Sequence, residues 1–369
     1  DPPAGAEARP HLLPAAADEL AGVTAAAGQL WPAFALVTGL LLVGVVAEQD
    51  GLFASAGATL ARVRLGPRST FVLALGLVTV VTAVLNLDTS VFFLTPVLLH
   101  LARARGSSEN PYLYAVVFMS NAASLFLPGS NLTNLIVLHH EQASGAAFFS
   151  RMWAAAITAA LVTGGLLLLL FRRELREPDR PSVLDAVGLR VGLGAAAVAA
   201  SAALVLFLRS PALPVLGVGI VTVALARVGR ARVQAAVDVR MLGGLFALAV
   251  ALGSLGRWWH GPASILESLG RWQTAAFGAF ASIGVNNLPA AVLLTPEAPP
   301  HPRALLLGLN LGPNLAVTGS LSALLWLRVA RSLGARPSAR RYSVLGLAVV
   351  PVSLAAAVAT LWLVAPGRL

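Results

Sequence analysis

Cysteine and lysine are both absent from this 369-residue sequence. The lack of cysteine excludes disulfide bonds, cysteine-ligated metal sites and thiolate chemistry on a substrate. Arginine therefore supplies all 26 basic residues. No phosphate-binding loop, zinc motif or nucleophile motif occurs either. We therefore expect no enzyme activity, no cofactor and no metal site.

Charged residues of both signs are also scarce. They make up 11% of the sequence, against 57% hydrophobic residues, and the mean hydropathy is +0.80. A soluble domain needs more polar surface than this composition offers, and apolar runs of membrane-spanning length recur along the chain. The composition predicts an all-α polytopic membrane protein, and we expect the protein in the inner (plasma) membrane.

The net charge of +10 does not indicate a nucleic-acid partner. The arginines lie in short clusters between apolar runs, as the positive-inside rule requires, and not on one basic face. His139, His140 and Glu141 form a polar cluster, but adjacent histidines on a helix point in different directions. We interpret this cluster as an interfacial loop and not as a metal site.

Two polar interruptions of apolar segments repeat each other. The first is Asn86-Leu87-Asp88-Thr89-Ser90, which leads to Thr95-Pro96, and the second is Asn286-Asn287-Leu288-Pro289-Ala290, which leads to Thr295-Pro296. The spacing from the first asparagine to Thr-Pro is the same in both copies. Arginine clusters flank the first unit on both sides, which favours a re-entrant hairpin over a single spanning helix.

Each repeated unit is followed by a second interrupted apolar segment. The first contains Ser124 and residues 128–134, and the second contains Asn310 to Asn314 and Thr318 to Ser320. Corresponding interrupted segments in two halves of a chain are typical of secondary transporters with inverted repeats. We therefore predict two inverted repeats, each with a re-entrant helical hairpin and a broken transmembrane helix.

The predicted organisation has four parts. They are a polar N-terminal segment (1–30), a first repeat (31–180, with hairpin 69–101 and broken helix 111–138), a linker with scaffold helices (181–240), and a second repeat (241–369, with hairpin 273–296 and broken helix 303–330).

In such an arrangement the two hairpin tips and the two unwound helix middles converge. Each break exposes backbone N–H and C=O groups at helix ends, which suits a small polar or anionic solute. The predicted substrate-binding residues are the amides and hydroxyls of these segments: Asn86, Thr89, Ser130, Asn131, Thr133, Asn134, Asn286, Asn287, Asn310, Asn314 and Thr318.

Asp88 is the one carboxylate within any of the breaks. An ionisable group inside a membrane is costly and indicates function, so we predict that Asp88 carries a proton or coordinates a cation. The alternative is a structural cap on the following half-helix. Leu288 occupies the matching place in the second half, so the two halves are not chemically equal.

These motifs resemble those of the arsenite and antimonite efflux permeases. The resemblance is carried by residues 86–96, 124–134, 286–290 and 311–321, and it extends over nearly the whole chain from Trp31. The wider ion-transporter superfamily also holds sodium/proton antiporters and divalent-anion/sodium symporters. The first tip reads Asn-Leu-Asp-Thr, whereas many arsenite permeases have Asn directly followed by Asp.

The resemblance implies proton-coupled export of neutral arsenous or antimonous acid by alternating access. An uncharged trihydroxide fits a ring of amides and hydroxyls, which both donate and accept hydrogen bonds. The alternatives are a cation-coupled symporter of small anions or carboxylates, a sodium/proton antiporter, and, from another class, a channel or sensor. The sequence leaves open a soluble ATPase partner on the inner arginine loops and a homodimer.

Overall fold

The computed structural model describes residues 12–63, 65–141, 144–176, 190–259 and 261–364. Throughout these ranges the regular structure is helical, which confirms the predicted all-α class. Within the described ranges, six helices are long and apolar enough to cross a membrane. They are Ala21–Gln49, Pro67–Val84, Leu87–Ala104, Gly145–Leu170, Arg230–Trp258 and Ala339–Val364.

Seventeen α-helices are found in the described part of the chain. They are α1 (Leu12–Gln49), α2 (Leu52–Arg62), α3 (Pro67–Val84), α4 (Leu87–Ala104), α5 (Glu109–Ala123), α6 (Leu132–Val137), α7 (Gly145–Leu170), α8 (Leu193–Phe207), α9 (Ala212–Leu225), α10 (Arg230–Ala236), α11 (Val239–Trp258), α12 (Gly261–Glu267), α13 (Arg271–Val285), α14 (Asn287–Leu294), α15 (Pro302–Leu311), α16 (Leu321–Ser332) and α17 (Ala339–Val364).

The first helix begins at Leu12 and not after residue 30, so the expected polar N-terminal segment is helical from that point. Alanine recurs through residues 15–27, and alanine has the highest helix propensity of all residues. Pro32 lies inside α1 without ending it. The predicted linker begins at residue 181, and residues 177–189 lie outside the described residues.

The order of elements around the two interruptions recurs along the chain. In each case two helices separated by an asparagine cap, α3 with α4 and α13 with α14, are followed by a helix interrupted midway, α5 with α6 and α15 with α16. Short 3₁₀ turns at Pro128–Ser130, Gly312–Leu315 and Val317–Gly319 fill the interruptions. Proline and glycine cannot hold these stretches in regular helix. The repeat boundaries themselves stay a prediction.

Most of the arginine clusters meet at one end of the molecule. Arg103 donates to the carbonyl of Leu333, and Arg341 pairs with Glu174 at 2.6 Å. At the same end Arg105 donates to the carbonyls that follow α2, and Arg232 donates to the Gln49 side chain at the end of α1. The arginine-rich end of each helix therefore lies beside the others, and we call it the inner end.

A compact support is built by α1, α8 and α9. A Cβ on Gly39 of α1 would lie 2.7 Å from the backbone nitrogen of Leu216 in α9, and a Cβ on Gly194 of α8 would lie 2.4 Å from Ala47. Glycine is required at both positions because the helix backbones touch. By contrast, α1 meets α4 through side chains, since a Cβ on Gly44 would contact Thr89 and Phe93.

Candidate functional site

The first tip is organised by Asn86, which lies between α3 and α4. Its extended backbone ends the helical run, and its Oδ1 accepts the backbone N–H of Thr89 at 2.7 Å, as an N-cap residue does. Asn86 and Thr89 are both buried. Among the described residues, no hydrogen-bond partner reaches Asn86 Nδ2 or Thr89 Oγ1. Buried polar groups are rarely left unpaired, so these two atoms are available to a bound solute or ion.

Asp88 contacts the second half of the chain. Its Oδ1 accepts a hydrogen bond of 2.5 Å from the Ser322 hydroxyl in the first turn of α16. Asp88 remains partly exposed, whereas Leu87 and Thr89 on either side are buried. The carboxylate therefore joins the first tip to the second broken helix.

The first break lies directly against the same tip. Helix α5 ends at Ala123, and Asn131 restarts the chain as the N-cap of α6 by accepting the backbone N–H of Thr133 at 3.1 Å. Between them, Ser130 Oγ donates to the carbonyl of Ala83 at 2.8 Å, in the last turn of α3. This hydrogen bond holds the break beside the tip.

A buried amide network connects the two broken helices. Asn310 Oδ1 accepts hydrogen bonds from Ser124 Oγ and Asn131 Nδ2, each at 2.6 Å. Asn310 Nδ2 donates to Asn134 Oδ1 at 2.8 Å and to its own helix at the carbonyl of Leu306. The Asn310 amide is thus fully used by the protein, and it fixes the crossing of α15 with the first break.

A second amide pair lies one turn away. Asn121 Nδ2 donates to Asn314 Oδ1 at 2.8 Å, and Asn314 Nδ2 donates to the carbonyl of Phe118 at 3.2 Å. Tyr342 of α17 donates to the carbonyl of Pro313 at 3.1 Å. The unwound segment 312–315 is therefore held from both sides, by α5 and by α17.

The second tip repeats the first with a different backbone. Asn286 caps α14, its Oδ1 accepting the backbone N–H of Leu288 at 3.3 Å, and its φ is +75°. Asparagine tolerates positive φ better than most residues. Its Nδ2 donates to the carbonyl of Thr318 at 3.1 Å, so this tip meets the second break.

The structure brings most of the predicted site residues to the meeting of tips and breaks, but in different ways. Thr318 offers its backbone carbonyl to Asn286 and has an exposed side chain. Thr133 contributes its backbone N–H to the α6 cap. Asn287 is buried at 4% exposure, and none of the described residues forms a hydrogen bond with its side chain.

Sequence reasoning missed Ser322, Asn121, Ser124 and Tyr342 as site residues. A signal for Ser322 exists, because Ser320-Leu321-Ser322 repeats the pattern of Asn131-Leu132-Thr133, with Ser320 capping α16 as Asn131 caps α6. No local pattern predicts Tyr342, since it reaches the break from a distant helix.

The arrangement can bind a small polar solute by dipoles and hydrogen bonds. The N-termini of α4, α14 and α16 point into the region, and Asp88 is the one carboxylate in the four interrupted segments. No basic residue occurs in these segments. Within the part of the chain that the structure describes, no group of three or more histidine, cysteine or acidic side chains could hold a metal ion.

Comparison with known proteins gives a family and a fold. A family profile described as "citrate transporter" (CitMHS) matches residues 9–307. The crystal structure of the Alcanivorax borkumensis YdaH transporter, described as having an unusual topology, is similar with a TM-score of 0.58 and 15% sequence identity. That similarity covers 97% of this chain and 90% of the YdaH chain. No curated protein matches the sequence.

Proposed function

The chain belongs to the citrate transporter family and is a secondary transporter of the ion-transporter type, and we propose that it exports arsenite and antimonite in exchange for protons. In this proposal the solute binds between the first tip and the two breaks. Asp88 carries the proton, and Asn86 and Thr89 contact the solute.

The observation that carries the proposal is the neutrality of the region where the tips and breaks meet. Amides and hydroxyls surround a single carboxylate, and no arginine is contributed by the interrupted segments. A trianion bound there would need compensating charge, because an unpaired charge in a membrane interior costs several kcal/mol, on the order of 3 or more. Arsenous acid is an uncharged trihydroxide near neutral pH and needs none. Its three hydroxyls can pair with the free Asn86 Nδ2 and Thr89 Oγ1.

A cation-coupled symport of a small carboxylate is the second candidate. Two observations favour it: the family profile is described by citrate, and helix N-termini, which attract anions, converge on the site. A carboxylate would have to bring a cation with it, and Asp88 would then help to hold that cation.

Transport into inverted membrane vesicles tests the two candidates against each other. An inside-acid pH gradient is expected to drive accumulation of arsenite in vesicles that contain the protein, and collapse of the gradient by a protonophore should release it. Citrate is assayed in the same vesicles, with and without sodium or magnesium ions. Vesicles lacking the protein give the background.

Accumulation of citrate that requires a metal cation, without accumulation of arsenite, would replace the first proposal by the second. Movement of neither solute by protein that is folded, as shown by a single cooperative melting transition, would contradict both candidates. The family and the fold would stand in either case.

A further inference from the structure

A cavity of about 950 Å³ opens at the inner end of the described part of the molecule. It is lined by Glu48, Arg190 and Arg232 and by residues of α2, α4 and α16. Ala58 of α2 and Val97 of α4 are both among the lining residues. No function described so far uses this space.

The cavity leads along α4 toward the first tip. His100, Pro96 and Phe92 line it at intervals of four residues, so they share one face of the helix. Asp88 is the next residue in this series, one turn beyond Phe92. On α16, Val329 lines the cavity two turns away from Ser322, the partner of Asp88. Two cavity walls therefore converge on the Asp88–Ser322 pair.

Aromatic rings occupy the deep end of the cavity. Phe92 and Phe93 contact each other edge to face with ring centroids 5.0 Å apart, and Phe93 stacks on Phe53 of α2 at 5.4 Å. Phe93 is buried and Phe92 is partly exposed. Along α4, the two rings lie one helical turn from Asp88 and Thr89 of the tip.

At the opposite end of the molecule, polar contacts join α1 to α11 and to the segment after α14. Gln29 of α1 donates to the carbonyl of Thr295 after α14 and accepts from Arg257 of α11. A smaller cavity of about 370 Å³ at this end is lined by Arg271, His301 and Trp362, and no residue of the four interrupted segments contributes to its wall.

We infer that the cavity between α2, α4 and α16 is a water-filled vestibule through which the solute reaches Asp88 from the inner end, with Phe92 and Phe93 as its gate. The inference rests on the proposed transport function. The vestibule takes a small polar solute from the aqueous phase. Its apolar walls hold such a solute weakly, which suits passage rather than storage.

Cysteine labelling tests this inference with little background, because the sequence contains no cysteine. Val97→Cys is exposed to a charged, membrane-impermeant methanethiosulfonate reagent in inverted vesicles, which present the inner end, and in right-side-out vesicles. Rapid modification is expected only in the inverted vesicles. Ala58→Cys on α2, which also lines the cavity, gives an independent second site. Val72→Cys on the outer surface of α3, where the valine is 48% exposed, is the control for a lipid-facing position and should stay unmodified.

The gate is tested by the rate at which Thr89→Cys, one helical turn beyond Phe92 and Phe93, is modified. Adding Phe92→Ala is expected to raise its rate of modification from the inner end at least about tenfold, equivalent to about 1.4 kcal/mol in an opening equilibrium. An unchanged rate would contradict the gate.

Two results would overturn the vestibule. Modification of Val97→Cys and Ala58→Cys only by a lipid-soluble maleimide would show a lipid-filled groove, and modification only in right-side-out vesicles would show the opposite opening. Because labelling needs no solute, these outcomes are independent of whether arsenite or citrate is transported.

Discussion

Asp88 is the residue that most clearly distinguishes the two halves of the protein. The second tip keeps the capping asparagine but has Leu288 in the equivalent position, and Leu288 is buried. Each tip therefore has the same backbone role, but only the first can exchange a proton. In the proposed function, this difference makes Asp88 the single coupling group.

Asp88→Asn is expected to abolish gradient-driven accumulation while leaving downhill solute exchange measurable. The amide keeps the shape of the side chain and can still accept from Ser322, but it cannot be ionised near neutral pH. The measurement compares uphill uptake with counterflow in vesicles. Glu109→Gln, which changes an inner-end carboxylate paired with Arg103, is the matched control and should transport normally. Unchanged pH-driven uptake by Asp88→Asn would remove Asp88 from the coupling mechanism.

We predict that Asn310 stabilises the fold and does not mainly bind the solute. Asn310→Ala leaves Ser124, Asn131 and Asn134 without their common partner. We expect a loss of about 1–3 kcal/mol, because hydrogen bonds in membrane proteins average about 0.6 kcal/mol and stranded buried groups cost more.

Thermal unfolding in detergent measures this loss. Asn287→Ala is the control, because Asn287 is an equally buried asparagine with no hydrogen bond to the described residues, and it should shift the melting temperature little. Equal shifts for the two variants would contradict the structural role of Asn310.

The capping asparagines were the part of the site most accessible from sequence. Asn86, Asn131 and Asn286 all occupy N-cap positions, where an asparagine side chain replaces a missing helical acceptor. The hydrogen-bond partners of each of these side chains could not be predicted from the sequence. Whether an amide uses both of its ends within the protein, as at Asn310, or keeps an unpaired Nδ2, as at Asn86, depends on partners distant in the chain.

Helix α17 supports the second break although it contributes no interrupted segment. Its backbone approaches so closely that a Cβ on Gly346 would lie 2.0 Å from the carbonyl oxygen of Asn314. Together with the Tyr342 hydrogen bond to Pro313, this contact holds the unwound segment in place. The helix therefore acts as a rigid back wall for the break.

Gly346→Ala is expected to displace residues 312–315 and to lower both transport and thermal stability, since backbone cannot move away as a side chain can. Gly165→Ala in α7, where nothing lies within 4 Å of the added methyl group, is the control. It should be neutral or stabilise the helix by up to about 1 kcal/mol. Melting curves and uptake rates of the two variants check the prediction, and equal behaviour would argue against the back wall.

At the level of helices, the positions of the interruptions were easier to predict from the sequence than the ends of the uninterrupted helices. The interruptions carry proline, glycine and capping residues, whose backbone requirements are local. The start of α1 was missed because membrane-spanning length was taken as the limit of the helix, while the alanine-rich stretch before it continues the same helix. Contacts such as α17 against residues 312–315 have no local signal.

Ion pairs join the two halves at both ends of the molecule. At the inner end Arg341 pairs with Glu174, and at the opposite end the pair is formed by Glu141 and Arg303. There Glu141, which follows α6, pairs with Arg303 of α15 at 2.9 Å and with Arg151 of α7 at 3.4 Å. The side chain of Arg303 is 6% exposed and that of Arg151 is 46% exposed.

Glu141→Gln is expected to lower the free energy of unfolding by about 1–3 kcal/mol, because it weakens a hydrogen bond to a buried guanidinium. Arg151→Gln removes an exposed partner of the same carboxylate and should cost less than about 1 kcal/mol. Chemical or thermal unfolding in detergent distinguishes the two. A larger loss of unfolding free energy for Arg151→Gln than for Glu141→Gln would contradict the assignment of Arg303 as the main partner of Glu141.

The single carboxylate at the first tip also has an electrical consequence. If one proton moves inward for each uncharged solute molecule that leaves, every cycle transfers one net positive charge. A membrane potential then contributes about 2.3 kcal/mol per 100 mV to the cycle. An inside-negative potential alone, at equal pH on both sides, would drive export, and the transporter would generate a current proportional to its flux.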